Sequence, residues 1–272
     1  MASAALLAGI LLLAGCVWLR LLDLKDQFAD FDRWITVPAG PGIELRFNKP
    51  VLLDEDLDTL IKSKPTATAV AGDLTVRTYA FSHEPSPLGA DPETAERVMV
   101  LTAGVSGGKV AFVGLPDEIF RAIPRDLVLR AMRSFGKAVV DRGTRSATAT
   151  VDLAGETKPV PSRSQLIALF GMPNQVKEID GRERILWRYR LAGESLREDG
   201  KPVLAAIAAT FKPGDERPAR FQVNVSGMWL YLDLPPAQPQ PPAAVPPADP
   251  AAAPQPPAAA VPGLPAAPPA AR

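Results

Sequence analysis

Cysteine and histidine are almost absent from this chain of 272 residues, which contains one of each. A single cysteine excludes an internal disulfide, and one cysteine with one histidine cannot build a Cys/His zinc site. His83 lies in Ser82-His-Glu-Pro-Ser-Pro, a pattern typical of an exposed loop and without the context of a nucleophile elbow. The sequence therefore predicts no catalytic residue, no cofactor and no metal ligand.

Net charge is also missing, because 30 lysines and arginines balance 30 aspartates and glutamates. Without an overall positive field, nucleic acid is not an expected partner. Proline, in contrast, is abundant at 30 residues, and much of the excess follows Leu234 in a stretch of Pro, Ala and Gln. Such a segment cannot bury enough apolar surface to offset its ordering entropy, so we expect residues 235–272 to form a disordered tail.

Charged side chains are lacking from residues 2–19, where a hydrophobic run ends in Leu13-Ala-Gly-Cys16. This tetrapeptide resembles the lipobox of bacterial lipoproteins, in which a cysteine thiol is coupled to diacylglycerol. The resemblance implies a signal peptide over residues 1–15, lipidation of Cys16 and a body in the periplasm. Val17, rather than an aspartate, follows the cysteine, which favours the outer membrane. The alternatives are an uncleaved anchor, because about 18 apolar residues can just span a bilayer, an ordinary signal peptide, or a buried helix of a soluble protein.

Residues 16–37 predict an amphipathic helix next to this anchor. The apolar side chains recur at helical spacing, and acidic and basic residues fill the remaining faces. These apolar positions are Leu21, Leu24, Phe28, Phe31 and Ile35. The helix has two possible roles at this stage, packing on the following domain or lying on lipid headgroups.

Residues 38–145 predict a first α+β unit. Alternation of apolar and polar residues indicates strands at 43–47, 74–82, 97–103 and 109–115. A short helix begins at Asp54, where clustered carboxylates suit a helix amino terminus. A longer helical pattern covers residues 119–141, either as one helix or interrupted at Pro124.

Residues 146–234 predict a second α+β unit. Ser162-Arg-Ser-Gln165 is a capping box that opens a helix, and Gly171-Met-Pro173 ends it. Strands are expected at 146–153, 183–192, 203–212 and 220–225, with a further apolar run at 228–234. The first unit has a similar order of elements at a spacing of 108 to 110 residues, which suggests a duplication.

The stretch from Ser164 to Pro173, followed by Trp187-Arg-Tyr189 and two strands, resembles the BamE (SmpA/OmlA) family of outer-membrane lipoproteins. The resemblance covers about 70 residues, and it implies helices on one face of a small antiparallel sheet. The expected fold class is therefore α+β, with helices packed on small antiparallel sheets and two BamE-like units in tandem as one arrangement.

Two groups of side chains are candidate contact sites. Aromatic residues at alternating strand positions could line a binding face, although such residues more often belong to a core. They are Trp187, Tyr189, Trp229 and Tyr231. Basic residues of the 119–141 helix could meet anionic lipid, although they also suit a solvated helix face. They are Arg125, Arg130, Arg133 and Lys137.

The sequence thus favours a non-enzymatic, lipid-anchored envelope protein that acts as an interaction module in outer-membrane assembly or maintenance. Its expected partners are the membrane, through the lipid on Cys16, and an envelope protein. A lipid-anchored hydrolase and a structural tether that binds anionic lipid are the alternatives.

Overall fold

The computed structural model describes residues 17–89, 97–115, 117–154, 160–192, 202 and 204–236. Cys16, the predicted signal peptide and almost all of the Pro/Ala-rich tail lie outside these residues. Within the described ranges, no helix has both the length and the apolar character that a membrane crossing requires.

The described residues contain five α-helices and thirteen strands. The helices are α1 (residues 17–29), α2 (Phe31–Trp34), α3 (Asp54–Ile61), α4 (Arg125–Ser134) and α5 (Arg163–Phe170), with 3₁₀ helices at Asp117–Arg121 and Phe135–Lys137. The first strands are β1 (Ile35–Thr36), β2 (Ile43–Phe47), β3 (Ala67–Ala71), β4 (Leu74–His83), β5 (Val98–Ser106), β6 (Lys109–Leu115) and β7 (Val139–Asp141). The remaining strands are β8 (Ser146–Thr150), β9 (Gln175–Ile179), β10 (Arg182–Leu191), β11 (Leu204–Phe211), β12 (Pro218–Val225) and β13 (Met228–Asp233).

All thirteen strands of the described residues belong to one mixed sheet, with the order β1-β2-β6-β5-β4-β10-β11-β12-β13-β8-β7. β3 pairs with β4 and β9 with β10 beside this path, and the β8–β13 pair is parallel. The expectation of helices on separate small sheets is therefore wrong. The physical reason is the antiparallel pairing of Phe81–His83 with Tyr189–Leu191, which joins two edges that would otherwise be unpaired.

The strand pairs on the two sides of this junction repeat. β3 and β4 begin 108 positions before β9 and β10, and each strand pair has the same length in both copies. Ser82 lies opposite Arg190, also 108 positions away. The flanking hydrogen bonds match as well, since Glu84 N–H donates to Arg188 O at 2.9 Å and Ala192 N–H to Ala80 O at 2.7 Å. The two halves thus meet about a local two-fold axis between Ser82 and Arg190.

In each half, a side chain accepts a backbone hydrogen bond from the long strand at the point where that strand changes its neighbouring strand. In the first half, Ala80 N–H donates to Thr66 Oγ1 at 3.1 Å. In the second half, Arg188 N–H donates to Asn174 Oδ1 at 2.5 Å, at the corresponding position. A backbone N–H that loses its ladder partner needs another acceptor when it is partly buried. The repeated solution allows one long strand in each half to serve two neighbours.

The helices lie on one face of the sheet, called the inner face, and cover the core. The predicted capping box is present at the start of α5, where Ser162 N–H donates to Gln165 Oε1 at 2.8 Å and Gln165 N–H to Ser162 Oγ at 3.3 Å. The long helix predicted over 119–141 is instead divided into two 3₁₀ turns, α4 and strand β7, with Pro124 immediately before α4. Proline cannot continue a helix through its own position, so the helical pattern was correct only in part.

α1 packs on the body of the protein. Arg20 forms a bidentate ion pair with Asp56 at the start of α3, with N–O distances of 2.5 and 2.6 Å. Leu21 and Leu24 contact a core cluster around Leu57, and Gln27 Nε2 donates to Lys49 O at 2.7 Å. The sequence left two roles open for this helix, packing on the domain or lying on lipid headgroups, and the described residues show it packed on the domain.

Gly136 marks the closest approach to α1, and its replacement gives a first testable prediction. A Cβ at this position would lie 2.2 Å from the backbone of Ala29, which cannot move without displacing the helix. We expect Gly136→Ala to lower the free energy of unfolding by about 1–3 kcal/mol in urea titrations. Gly40→Ala is the matched control, because nothing lies within 4 Å of the added atom. Equal stability of the two variants would contradict the close packing of α1.

Candidate binding face

Trp187 and Tyr189 lie in the core and not on the surface. Both are buried, and they hold the carboxyl end of α5. Trp187 Nε1 donates to Gly171 O at 2.8 Å, and Tyr189 Oη to Phe170 O at 3.4 Å. These two members of the predicted aromatic set therefore stabilise the fold, because their polar atoms satisfy helix carbonyls that have no intrahelical partner.

Trp229 and Tyr231 point to the opposite side of the sheet, the outer face, and are half-buried. Their rings stack with centroids 6.0 Å apart and planes inclined by 14°. The Arg184 guanidinium lies 5.8 Å from the Trp229 ring centroid, and that of Arg220 lies 5.5 Å from Tyr231. The result is a continuous stack of cation, two rings and cation across the outer face.

The stack crosses a floor of small and amide side chains on β11 and β12. Arg184 reaches Trp229 over two strands that separate β10 from β13. The outward residues of β11 at these levels include Ala206, Ala208 and Thr210. Their small side chains leave room above the sheet for the long arginine side chain. The proximity of β10 and β13 was not predicted from the sequence.

A row of arginines extends the outer face along β10. Arg182, Arg184, Arg188 and Arg190 occupy alternate positions, so all four point away from α5. Arg190 pairs with Glu84 at 3.0 Å, but none of the others has an ion pair among the described residues. This row was not predicted from the sequence, although arginine occupies each even-numbered position of β10 except that of Leu186.

Arg220 fixes the other end of the stack. Its guanidinium makes two hydrogen bonds to Asp233, at 2.5 and 3.1 Å, and these raise the pKa of Arg220 above its usual value. Asp233 therefore neutralises this charge, whereas Arg184 has no ion pair within the described ranges. The outer face as a whole combines stacked aromatic rings, amides and unpaired guanidinium groups.

The basic residues predicted on the 119–141 helix are mostly engaged elsewhere. Arg125 donates to Pro38 O at 2.9 Å, and Arg130 to Ala154 O at 3.0 Å. Arg133 pairs with Asp32 at 2.7 Å, with its guanidinium over Phe31. Lys137 is exposed. Three of the four cations thus bind the body of the protein and are not grouped for lipid contact.

His83 and the acidic residues at the start of α3 make contacts within the fold. His83 ends β4 rather than lying in a loop, and its ring lies 5.2 Å from that of Tyr189. Asp54 and Asp58 bind Arg77 at 2.5 and 2.7 Å. Among the described residues no three His, Cys, Asp or Glu side chains are grouped as metal ligands would be.

A cavity of about 620 Å³ lies between α5, β5 and the first 3₁₀ helix. Arg97 on its wall donates to Ala168 O and Leu169 O at 2.7 and 2.9 Å. The guanidinium therefore satisfies the last carbonyls of α5, which explains a cation at this position.

The tyrosine next to this cavity gives a prediction for alkaline pH. Burial raises the pKa of Tyr189 well above its usual range, and the positive charge of Arg97 opposes this only in part. The folded state thus holds the phenol proton more tightly than the unfolded chain, whose pKa is about 10. This contribution to stability is complete below about pH 10 and is lost as the pH rises through the folded-state value.

We therefore expect the free energy of unfolding to fall as the pH rises above about 10, measured by urea titration. Tyr189→Phe should reduce the slope but not remove it, because burial also raises the pKa of Tyr79. An identical slope in the variant would contradict this origin of the alkaline sensitivity.

The chain matches no known family model, no curated protein and no solved structure. Its resemblance to the BamE family therefore stays a prediction from the sequence.

Proposed function

We propose that this chain is a non-enzymatic lipoprotein of the bacterial cell envelope, anchored through Cys16 and binding an envelope protein through its outer face. The observation that carries the proposal is the stack of Arg184, Trp229, Tyr231 and Arg220. Tryptophan, tyrosine and arginine dominate the energetic centres of protein interfaces, since each offers a large contact area with few rotatable bonds or several donors.

The position of α1 supports the anchoring part of the proposal. Val17, the residue after Cys16, already lies in α1, and Arg20 of this helix binds Asp56 of the body. A lipid on Cys16 would therefore hold the domain next to the membrane without a flexible linker. The outer membrane, with the domain in the periplasm, is the location that the residues around Cys16 favour.

Intact-mass analysis of the protein from membranes of its host tests the anchor. We expect a mature chain that begins at Cys16 and carries added acyl mass, which Cys16→Ala should abolish. A full-length, unmodified chain in the membrane fraction would contradict the lipoprotein proposal.

Site-specific photocrosslinking tests the binding face. A photoreactive phenylalanine in place of Tyr231 should capture one envelope protein, and the same group in place of Val70 should not. Val70 is a suitable control because it is 72% exposed on β3, in the other half of the chain. Trp229→Ala should weaken binding of the captured protein about tenfold or more, whereas Val70→Ala should leave it unchanged. Equal effects of the two substitutions would contradict the assignment of the outer face.

A further inference from the structure

A second surface lies where the described chain begins, and we call it the anchor-proximal surface. It consists of Val17 and Trp18 of α1, Met228 after the β12–β13 turn, and Arg142 and Arg145 of the β7–β8 turn. A largely apolar cavity of about 240 Å³ brings these segments together, and its walls include Trp18, Arg145 and Met228. Three segments far apart in sequence therefore meet beside the residue that follows Cys16.

This surface is held in a fixed arrangement. Ser226 Oγ donates to Ile61 O at the end of α3, which ties the β12–β13 turn to the helix layer. Trp229 N–H donates to Arg145 O at 3.0 Å, which ties the β7–β8 turn to the same strand end. Since Arg20 binds α1 to α3, all contributing segments are bonded directly or indirectly to α3.

The surface is apolar at its centre and cationic at its rim. Val17, Trp18 and Met228 are half-buried around the cavity. Arg142 and Arg145 are exposed, and neither has an ion pair among the residues described in the structure. Asp141, which precedes Arg142 in the sequence, accepts hydrogen bonds from the backbone of Gly143 and Thr144, so its charge is directed into the turn.

We propose that the anchor-proximal surface lies against the anionic phospholipid headgroups of the membrane in which Cys16 is anchored. The inference rests on the proposed lipid anchor and adds an orientation to it. Tryptophan prefers the interface between headgroups and hydrocarbon, and arginine binds lipid phosphates. Cys16, the proposed attachment point of the lipid, directly precedes Val17 of this surface in the sequence, and the exposed arginines complement anionic headgroups, which favours a membrane over a protein as its occupant.

This orientation directs the opposite end of the sheet away from the membrane. β12 has eight residues and separates the β12–β13 turn from the β11–β12 turn, so Lys212 is about 25 Å from the surface along the strand. The strands would then point away from the membrane, and the outer face would remain accessible to a partner in the periplasm.

Nitroxide labels on the lipidated mature protein in vesicles test the orientation. Cys16 is consumed by the lipid, so Thr144→Cys and Lys212→Cys each provide one reactive thiol. Both positions are exposed turn residues at opposite ends of the sheet. The label at residue 144 should be relaxed more by membrane-dissolved oxygen, and the label at residue 212 more by a water-soluble nickel complex. Equal access of the nickel complex to both labels would overturn the orientation.

The role of the two arginines has its own test. The full-length Cys16→Ser protein should bind vesicles that contain phosphatidylglycerol more tightly than vesicles of phosphatidylcholine alone. Arg142→Gln with Arg145→Gln should weaken this binding about twenty-five-fold, because one cation near an anionic surface contributes roughly a factor of five. Arg182→Gln with Lys212→Gln is the control with the same change of charge, and it should have little effect. Equal losses in both pairs would overturn the proposal.

These experiments separate the inference from the proposed function. If mass analysis finds the lipid but both nitroxide labels face water, the anchor stands and the orientation is wrong. If no lipid is found and the Cys16→Ser protein does not bind anionic vesicles, both proposals fail.

Discussion

Asp56→Asn is expected to lower the free energy of unfolding by about 3–5 kcal/mol, because it leaves a partly buried guanidinium without its counter-charge. Asp56 is fully buried, and its two oxygens receive Arg20 Nε and Nη2 at 2.6 and 2.5 Å. One of these oxygens also accepts the Leu53 N–H at 2.8 Å. An amide can accept at only one of its two positions, so at least one donor loses its partner.

Urea unfolding monitored by circular dichroism measures this effect, and brief trypsin digestion localises it. Lys25 lies in α1, so we expect faster cleavage there once the helix is no longer bonded to α3. Asp233→Asn is the control, since it breaks a bidentate pair with Arg220 in which both side chains are about one-third exposed. This exposed pair should contribute at most about 1 kcal/mol. A comparable loss in both variants would contradict the special role of Asp56.

Trp187→Ala is expected to destabilise the protein by about 3–5 kcal/mol, through the cavity it creates and the carbonyl it leaves without a donor. Trp187 has no solvent exposure and packs against Phe170 with ring centroids 5.3 Å apart. Its hydrogen bond to Gly171 O fixes the turn that follows α5. The expected result is an earlier transition in urea and a loss of the ordered tryptophan signal in near-ultraviolet circular dichroism.

Trp229→Ala gives the contrast that separates core from binding face. Trp229 is half-buried, and its removal leaves no enclosed cavity, so we expect a loss of stability of about 1 kcal/mol or less. The same substitution should abolish most partner binding, as proposed above. A larger destabilisation by Trp229→Ala than by Trp187→Ala would contradict the division of these aromatic residues between the two faces.

Local elements were predictable where a single chemical rule determined them. The capping box at Ser162 identified the start of α5, because the hydroxyl and the amide of Gln165 satisfy each other's backbone partners. Alternation identified β4 and β10 to within a residue or two, and glycine turns marked the hairpins between β5 and β6. The 119–141 segment was predicted only in part: an interruption at Pro124 was one of the two alternatives, but the helical period continued into residues that form β7.

The two faces of the sheet show why the candidate site was only partly predictable. Alternation places Trp187 and Tyr189 on one face and Arg184 and Arg188 on the other, but it does not say which face the helices cover. The arginine row lacked a recognised partner in the sequence, because Trp229 lies three strands away in the sheet. The ion pair of Arg20 and Asp56 spans 36 positions and has no local signal at all.

The sequence by itself predicted most of the local helices and strands, and it supplies the pattern on which the proposal of a lipid anchor rests. Apolar periodicity, caps, turns and the cysteine at residue 16 depend on neighbours a few positions apart, and they could be read directly. Only the tertiary structure decided that two repeated halves share one sheet. That outcome depends on hydrogen bonds between edges 108 residues apart, and backbone edges carry no signature in the identity of their side chains.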